Sequence, residues 1–366
     1  MKKVGILTSG GDCAGLNAVI AAIVRAGYPL GYEFIGFERG WEGLLSPPCY
    51  RELKLQDIRG ISHLGGTILK TTNKGRFGAK DVDGVKRIPM EVLEDAKRNA
   101  DALGLSGLIV IGGDGSLSGA LQLCELGLPI VGVPKTIDND LSGTDRTFGF
   151  STAVQVVVDS LDRIHSTATS HDRVMFVETM GRHAGWIALR AGVAGGAHAI
   201  LLPEFPFMVE DLVDFLRLRR KHTGSTVVMV AEGAKLHDNY VGRANLSGEV
   251  HLGGVTTQLM DEIEALSPGE FEMRVTVLGH IQRGGTPNAP DRTLAKAYGV
   301  HAIHAFDKGH YGHMVRYNCG QMDIVPISEA CGSMKIVTTD ALDYQTAIEL
   351  GVFIHRPTTV VVADED

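Results

Sequence analysis

A chain of 366 residues, 44% hydrophobic and 21% charged, is longer than one compact core usually serves, so two globular domains are expected. A net charge of −8 excludes a general nucleic-acid footprint, and no apolar run is long enough to span a membrane. The five cysteines (Cys13, Cys49, Cys124, Cys319 and Cys331) are scattered and never spaced C-x-x-C. That pattern argues against a disulfide framework or structural zinc and fits a reducing cytoplasm.

The opening "MKKVGILTSGGD" starts like a signal peptide, but glycines and Asp12 break its short apolar stretch. "KVGILTS" therefore reads as a buried strand, followed by a helix around 15–27 and the strand "YEFIGFE". The segment 40–90, rich in Gly, Pro and charge, predicts a helix plus long loops. "GLIVIGG", a helix near 116–126 and "LPIVGVP" come next. Val154, Val157, Val158, Leu161 and Ile164 form the stripe of an amphipathic helix. "RVMFVETM", "AHAILLP", "STVVMVAEG" and "FEMRVTVLG" continue the alternation, and "RLRRKH" (217–222) ends a solvated helix. Buried strands separated by crossover helices predict an α/β fold of mainly parallel sheets flanked by helices. In such sheets ligands collect beyond the carboxyl ends of the strands, which is where the polar clusters of this chain fall.

"TSGGDCAG" (8–15) opens a helix after the first strand, and reads equally as an anion-binding loop or a tight turn. "IGGDGSLSG" (111–119) places Gly113, Gly115 and Gly119 close to a dinucleotide fingerprint, so an NAD-dependent dehydrogenase is one alternative. Asp114, however, would face the pyrophosphate there; a magnesium ion bridging it to phosphate oxygens makes better sense. "GLPIVGVPKT" is not a P-loop, because Val133 stands where the lysine belongs. "PKTIDND" (134–140) then crowds Lys135, Thr136, Asp138 and Asp140 at a strand end. The histidines of "HAIHAFDKGHYGH" (His301, His304, His310, His313) straddle a helix end and a glycine turn, so they read as solvated or capping groups. Glu178, Arg182 and His183 in "VETMGRHAGW", Glu232 in "VAEGAK", and Arg274, His280, Gln282 and Arg283 in "FEMRVTVLGHIQRGG" lie at strand or loop ends, and Arg173 lies in "SHDR". Arginine suits phosphate through its planar, bidentate fork.

Taken in order, "TSGGDCAGLN", "GGDGS", "PKTIDND", "GF-TA", "MGR-AGW" and "GHIQRGG" resemble the 6-phosphofructokinases over residues 8–285. The resemblance implies two Rossmann-like lobes: a donor-binding one of 1–148 plus 280–330, and a sugar-phosphate one of 149–279 plus 331–366. It implies Mg2+-assisted phosphoryl transfer to the 1-hydroxyl of fructose 6-phosphate. Gly11, Gly113, Asp114, Gly115, Ser116 and Lys74 would bind the donor, with Asp114 on the metal. Asp138 would be the general base, supported by Asp140, with Thr136 and Arg182 on the migrating phosphoryl group. Ile137, Met180, Gly181, Glu232, His280, Ile281, Gln282 and Arg283 would complete the sugar-phosphate site. Arg173 and Arg274 would reach in from a neighbouring subunit, making the protein a homo-oligomer, dimer or tetramer.

Within that resemblance Gly115 points to ATP, because pyrophosphate users usually carry aspartate there. Lys135 and "MGRHAGW" are similar to the pyrophosphate-dependent branch, which is the alternative donor reading. Asn73 stands where common bacterial members have arginine, so Lys74 or Arg76 is expected to substitute. Arg25 matches one arginine of the bacterial effector site, whereas Ala21 and His165 replace two others, which speaks against the usual ADP and phosphoenolpyruvate control.

Overall fold

Two compact units organise the chain in the computed structural model, which describes residues 2–73, 75–82, 85–222, 224–244 and 250–355. Unit 1 comprises 1–153 and 283–335, and unit 2 comprises 154–282 and 336–366. Unit 1 starts with β1 (Lys2–Thr8), α1 (Leu16–Gly27), β2 (Tyr32–Phe37) and β3 (Tyr50–Leu53). After α2 (Met90–Ala102) come β4 (Leu105–Gly112), α3 (Asp114–Glu125), β5 (Ile130–Thr136) and β6 (Phe148–Gly149). The long α4 (Phe150–His171) leads into β7 (Val174–Thr179), α5 (Trp186–Ala194), β8 (Ala199–Leu201) and α6 (Val209–His222) of unit 2. Unit 2 continues with β9 (Thr226–Ala231), α7 (Val255–Leu266) and β10 (Met273–Val277). The chain returns to unit 1 for α8 (Ala289–Asp307), β11 (His313–Asn318), β12 (Gln321–Pro326) and α9 (Ile327–Ala330), and α10 (Leu342–Glu349) belongs to unit 2.

The large sheet of unit 1 has the order β12-β11-β5-β4-β1-β2-β3, with β6 paired to β5. Its interior pairs are parallel, with Val4 beside Phe34, Ile6 beside Ile109 and Ile109 beside Val131; β3 and β12 close the edges antiparallel. Leu108, Ile109, Val110 and Ile111 are wholly buried, because a central parallel strand faces helices on both sides. That burial explains the unbroken apolar runs in the sequence. After β1 the chain turns to β2 on one side, while β4 lies on the other. The loops after β1 and β4 therefore diverge, and a crevice opens between them at the carboxyl end of the sheet.

Segment 40–90 differs from the expected helix with long loops. Among the described residues it holds two short 3-10 turns (Gly40–Gly43 and Ile61–His63), β3, and a hairpin of Lys80–Val82 with Val85–Arg87; the helix begins only at Met90. Its order comes from contacts distant in sequence. Trp41 stacks on Phe77 with centroids 4.1 Å apart, and the Glu42 carboxylate receives the Arg76 backbone N–H and, at 3.1 Å, its Nε. Such contacts have no period to read in a sequence.

Unit 2 has an all-parallel sheet of order β8-β9-β7-β10, in which Phe176 sits between Val228 and Val275. Its core packs Phe176, Val228 and Val230 against Leu212, Leu216, Leu259 and Ile263. The basic run ends α6 at Arg219, Arg220, Lys221 and His222, as expected of a solvated helix terminus. A cavity of about 420 Å³ opens at the amino ends of β7 and β9, lined by His171, Arg220, Glu270 and Phe271 among others. It lies at the opposite end of the strands from the loops that carry the candidate chemistry. Among the described residues no helix is long and apolar enough to cross a membrane.

His198, at the start of β8, accepts the Val227 N–H on Nδ1 at 2.9 Å and packs edge-on against His165, ring centroids 5.7 Å apart. Burial, then the charges of Arg219 and His165, push its pKa from 6.5 down to about 4. The unfolded chain takes up that proton near 6.5, so the unfolded state binds more protons between the two values. Stability is therefore full above pH 6.5 and falls as the pH drops towards 4. Thermal unfolding across this range should show a declining Tm, with a shallower decline for His198→Asn, whose amide oxygen still accepts the Val227 N–H. An equal slope in both proteins would remove His198 as the cause.

Candidate active site

The loop after β1 is fixed at both ends. Ser9 N–H bonds to the Ile111 carbonyl at 2.9 Å, tying it to the end of β4. Gly15 enters α1 with φ 108°, and a Cβ there would lie 2.9 Å from the Phe148 ring, so the helix can start here only with glycine. Three successive carbonyls of the loop are occupied. Thr71 Oγ1 donates to Gly10 O at 2.6 Å, the Lys135 ammonium to Gly11 O, and Arg283 Nη1 to Asp12 O at 3.2 Å. With those carbonyl dipoles satisfied by donors, the loop is left able to present N–H groups to an anion.

Lys135 is 4% exposed, and burial pushes its pKa down from the ordinary lysine range. Across the crevice, Gly113 is the extended residue before α3, and Asp114, Gly115 and Ser116 form the first turn of that helix. Helix N-termini with free N–H groups suit phosphate. Asp114 and Gly115 are exposed, and Asp114 Oδ1 accepts the Gly332 N–H at 3.3 Å. A Cβ built on Gly115 meets nothing within 4 Å.

β5 delivers "PKTIDND" to the same end of the sheet, one strand beyond β4. Thr136 Oγ1 accepts the Asp138 N–H at 3.1 Å and its hydroxyl bonds the Asp140 carboxylate. Asn139 takes φ 52°, a left-handed turn that Asn tolerates, and its Oδ1 accepts the Thr147 N–H at 3.0 Å. Asp138 is buried, and its Oδ1 has no hydrogen-bond partner among the described residues. Burial, and then the neighbouring Asp138 charge, push the Asp140 pKa from 3.8 up to about 6. Ile137 is wholly buried behind the loop.

In unit 2, Met180, Gly181 and Arg182 follow β7, and Glu232 follows β9, its neighbour in the sheet. Glu232 Oε1 receives the N–H groups of Gly181 at 3.3 Å and Arg182 at 3.1 Å. Gly181 adopts φ 145°, and a Cβ there would lie 2.6 Å from the Ala184 carbonyl oxygen. Glu178, at the end of β7, is buried and accepts Thr256 N–H at 3.2 Å and Thr256 Oγ1 at 2.6 Å, which anchors the start of α7. After β10 the short turn Gly279–Gln282 exposes His280 and Ile281, while Gln282 is buried and donates to Gly279 O at 3.0 Å.

Arg173 Nε (2.7 Å) and Arg274 Nη2 (2.9 Å) share the Glu272 Oε1. Arg283 belongs to unit 1, beside the loop after β1. Arg76 is committed to Glu42 and to the Ser46 carbonyl, Asn73 is exposed, and Lys74 lies outside the described residues. Of the four histidines, His310 and His313 pack edge-on with ring centroids 6.2 Å apart, and His301 and His313 bond backbone carbonyls locally, at 2.9 Å each. Sequence reasoning missed Lys335, whose ammonium donates to Asn139 Oδ1 at 3.2 Å and to the Thr144 and Asp145 carbonyls at 2.9 Å each. It also missed Asn139 and Thr147 as the frame of the base loop; the Asn in "IDND" was the available signal, because Asn favours left-handed turns.

A family profile described as Phosphofructokinase matches residues 3–306. An ATP-dependent 6-phosphofructokinase of Chloroflexus aurantiacus is 48% identical over 337 residues, covering 92% of this chain and 93% of the relative. A pyrophosphate–fructose 6-phosphate 1-phosphotransferase of Streptomyces coelicolor is 46% identical, covering 96% and 99%. The solved phosphofructokinase of Saccharomyces cerevisiae is similar at TM-score 0.76 and 32% identity over 90% of this chain, which spans 45% of the yeast chain. The profile runs from β1 into α8 and takes in the polar loops of both units, so the chain belongs to the phosphofructokinase family.

Proposed function

We propose that this protein transfers the γ-phosphoryl group of ATP to the 1-hydroxyl of fructose 6-phosphate, giving fructose 1,6-bisphosphate and ADP. The observation that carries the reading is the buried, unpartnered Oδ1 of Asp138. Leaving such an acceptor unsatisfied costs about 1–3 kcal/mol or more, so a fold retains it where a ligand completes it. A substrate hydroxyl is such a ligand: Asp138 takes its proton as the oxygen attacks the γ-phosphorus and the bond to the bridging oxygen breaks. Thr136 holds the Asp138 backbone, and Arg182 stabilises the charge on the transferring group. Met180, Gly181, Glu232, His280, Ile281, Gln282 and Arg283 are assigned to the sugar phosphate.

The donor is assigned to the loop at Gly11 and the turn Gly113–Ser116. Hard, oxygen-only carboxylates suit magnesium, which takes one or two of them together with phosphate oxygens. Asp114 would hold it and Asp140 would support it; the charge of Asp114 contributes to the raised Asp140 pKa. When bound, the ion neutralises charge developing on the phosphate oxygens. Arg173 and Arg274 are assigned to the substrate of a neighbouring protomer, with Glu272 holding both until it binds.

Gly115 supports ATP. Its built Cβ meets open space, so nothing in the fold asks for glycine, which is a weaker helix former than alanine. Room for a donor larger than pyrophosphate accounts for it. Pyrophosphate is the second reading, because Lys135 and "MGRHAGW" are similar to the pyrophosphate-dependent branch.

Initial rates with fructose 6-phosphate and magnesium, comparing ATP with pyrophosphate, test the assignment directly; turnover with pyrophosphate alone would reverse the donor. Asp138→Asn should lower kcat by about 10²–10⁴ with little change in Tm. Gly115→Asp should leave Tm unchanged or higher, since an acid in the first turn favours the helix. It should cut ATP turnover far more than pyrophosphate turnover, and equal losses would sink the steric argument.

A further inference from the structure

The last residues of unit 1, Cys331–Lys335, follow α9 without forming a helix or strand, yet they are stitched first to the start of α3 and then to the base loop. Gly332 N–H donates to Asp114 Oδ1 at 3.3 Å. Ser142 Oγ donates to Ser333 O at 2.9 Å, and Met334 makes an isolated antiparallel bridge with Leu141. Lys335 closes the seam: its N–H donates to Asp140 O at 2.9 Å, and its ammonium reaches Asn139 Oδ1, Thr144 O and Asp145 O. An ammonium has three donors, and here three oxygens of the same loop take them.

We propose that Lys335 is a positioning residue for the phosphoryl transfer assigned above, a role that rests on that function. Asp138 and Asp140 stand two residues apart and repel each other, so the loop between them needs an external constraint to keep one geometry. Asn139 supplies the turn, and Lys335 locks it by holding the Asn139 side chain and two carbonyls farther along. Its ammonium is committed to these loop oxygens, so it acts through the loop and not on the reacting atoms.

Steady-state kinetics and amide hydrogen exchange on the full-length Lys335→Met and Lys335→Arg variants test this. For Lys335→Met, kcat should fall on the order of 10²-fold with KM for both substrates within about threefold, as expected when a base is displaced by about 1 Å. Exchange over 138–147 should rise while Tm changes little, and Lys335→Arg should recover most of kcat. An unchanged kcat, or a loss in which exchange rises throughout unit 1 and Tm falls in step, would overturn the proposal. Should Lys335→Met fail to fold, Asn139→Gly keeps the left-handed turn and removes the Oδ1 acceptor; it should lower kcat, and no effect overturns the role. Absence of wild-type turnover fails the assigned function instead, and unchanged loop exchange in Lys335→Met would then still reject the clamp.

Discussion

Two carboxylates two residues apart at the end of a buried strand form the constraint on which unit 1 depends. β5 lies between β4 and β11 and is buried on both faces, so only its carboxyl end can carry charge. There burial, and then the Asp138 charge, raise the cost of ionising Asp140, and the surrounding groups answer that cost. The Thr136 hydroxyl lies between the Asp138 N–H and the Asp140 carboxylate. Asn139 turns the chain between them, and Lys335 brings a positive charge against the loop from a segment almost two hundred residues later. Repulsion of this kind is tolerated where the charged state does work, and transfer of a proton from a sugar hydroxyl is such work.

The two units repeat one architectural logic with different contents. In each, a first strand has neighbours reached in opposite directions, and the loops that diverge there carry the polar groups. Unit 1 fills its loops with glycines, whose backbone can approach phosphate, and with carboxylates. Unit 2 fills them with carboxylates that act as braces: Glu178 fixes the start of α7, and Glu232 fixes the backbone of Gly181 and Arg182. Holding the backbone of Arg182 through its own N–H leaves the guanidinium position to be set by a rigid turn rather than a mobile loop. The family assignment fits this division, since phosphoryl transfer requires positioning and charge stabilisation more than covalent chemistry from the protein.

Most of the parallel strands were legible because strands buried on both faces write continuous apolar runs, as "GLIVIGG" and "STVVMVAEG" do. The loops at their ends were legible because glycine and aspartate cluster where the apolar runs stop. Segment 40–90 was not legible. Its structure rests on Trp41 against Phe77 and Glu42 against Arg76, pairs separated by more than thirty residues and carrying no periodicity. The same seam removes Arg76 from the group of free cations that the sequence offered for the donor. Lys335 was invisible for a related reason: a single lysine in "CGSMKIV" looks solvated, and only the fold brings it to Asn139.

Glycine shows how far physical accounting can carry a functional reading. A Cβ at Gly132 would lie 2.8 Å from Leu117, one at Gly149 would strike Cys13, and one at Gly15 would meet Phe148. Those glycines are explained by packing, and they say nothing about a ligand. Gly115 has no such explanation: its backbone is helical, its Cβ would point into open space, and most other residues would stabilise the helix better. A residue that the fold does not require, placed at the N-terminus of a helix beside a phosphate-competent loop, is explained by what must fit next to it. Lys135 lacks that force, because its burial against the Gly11 carbonyl already accounts for it structurally, whichever donor binds. The two residues therefore do not weigh equally, and the choice of ATP over pyrophosphate follows from the one that the protein alone leaves unexplained.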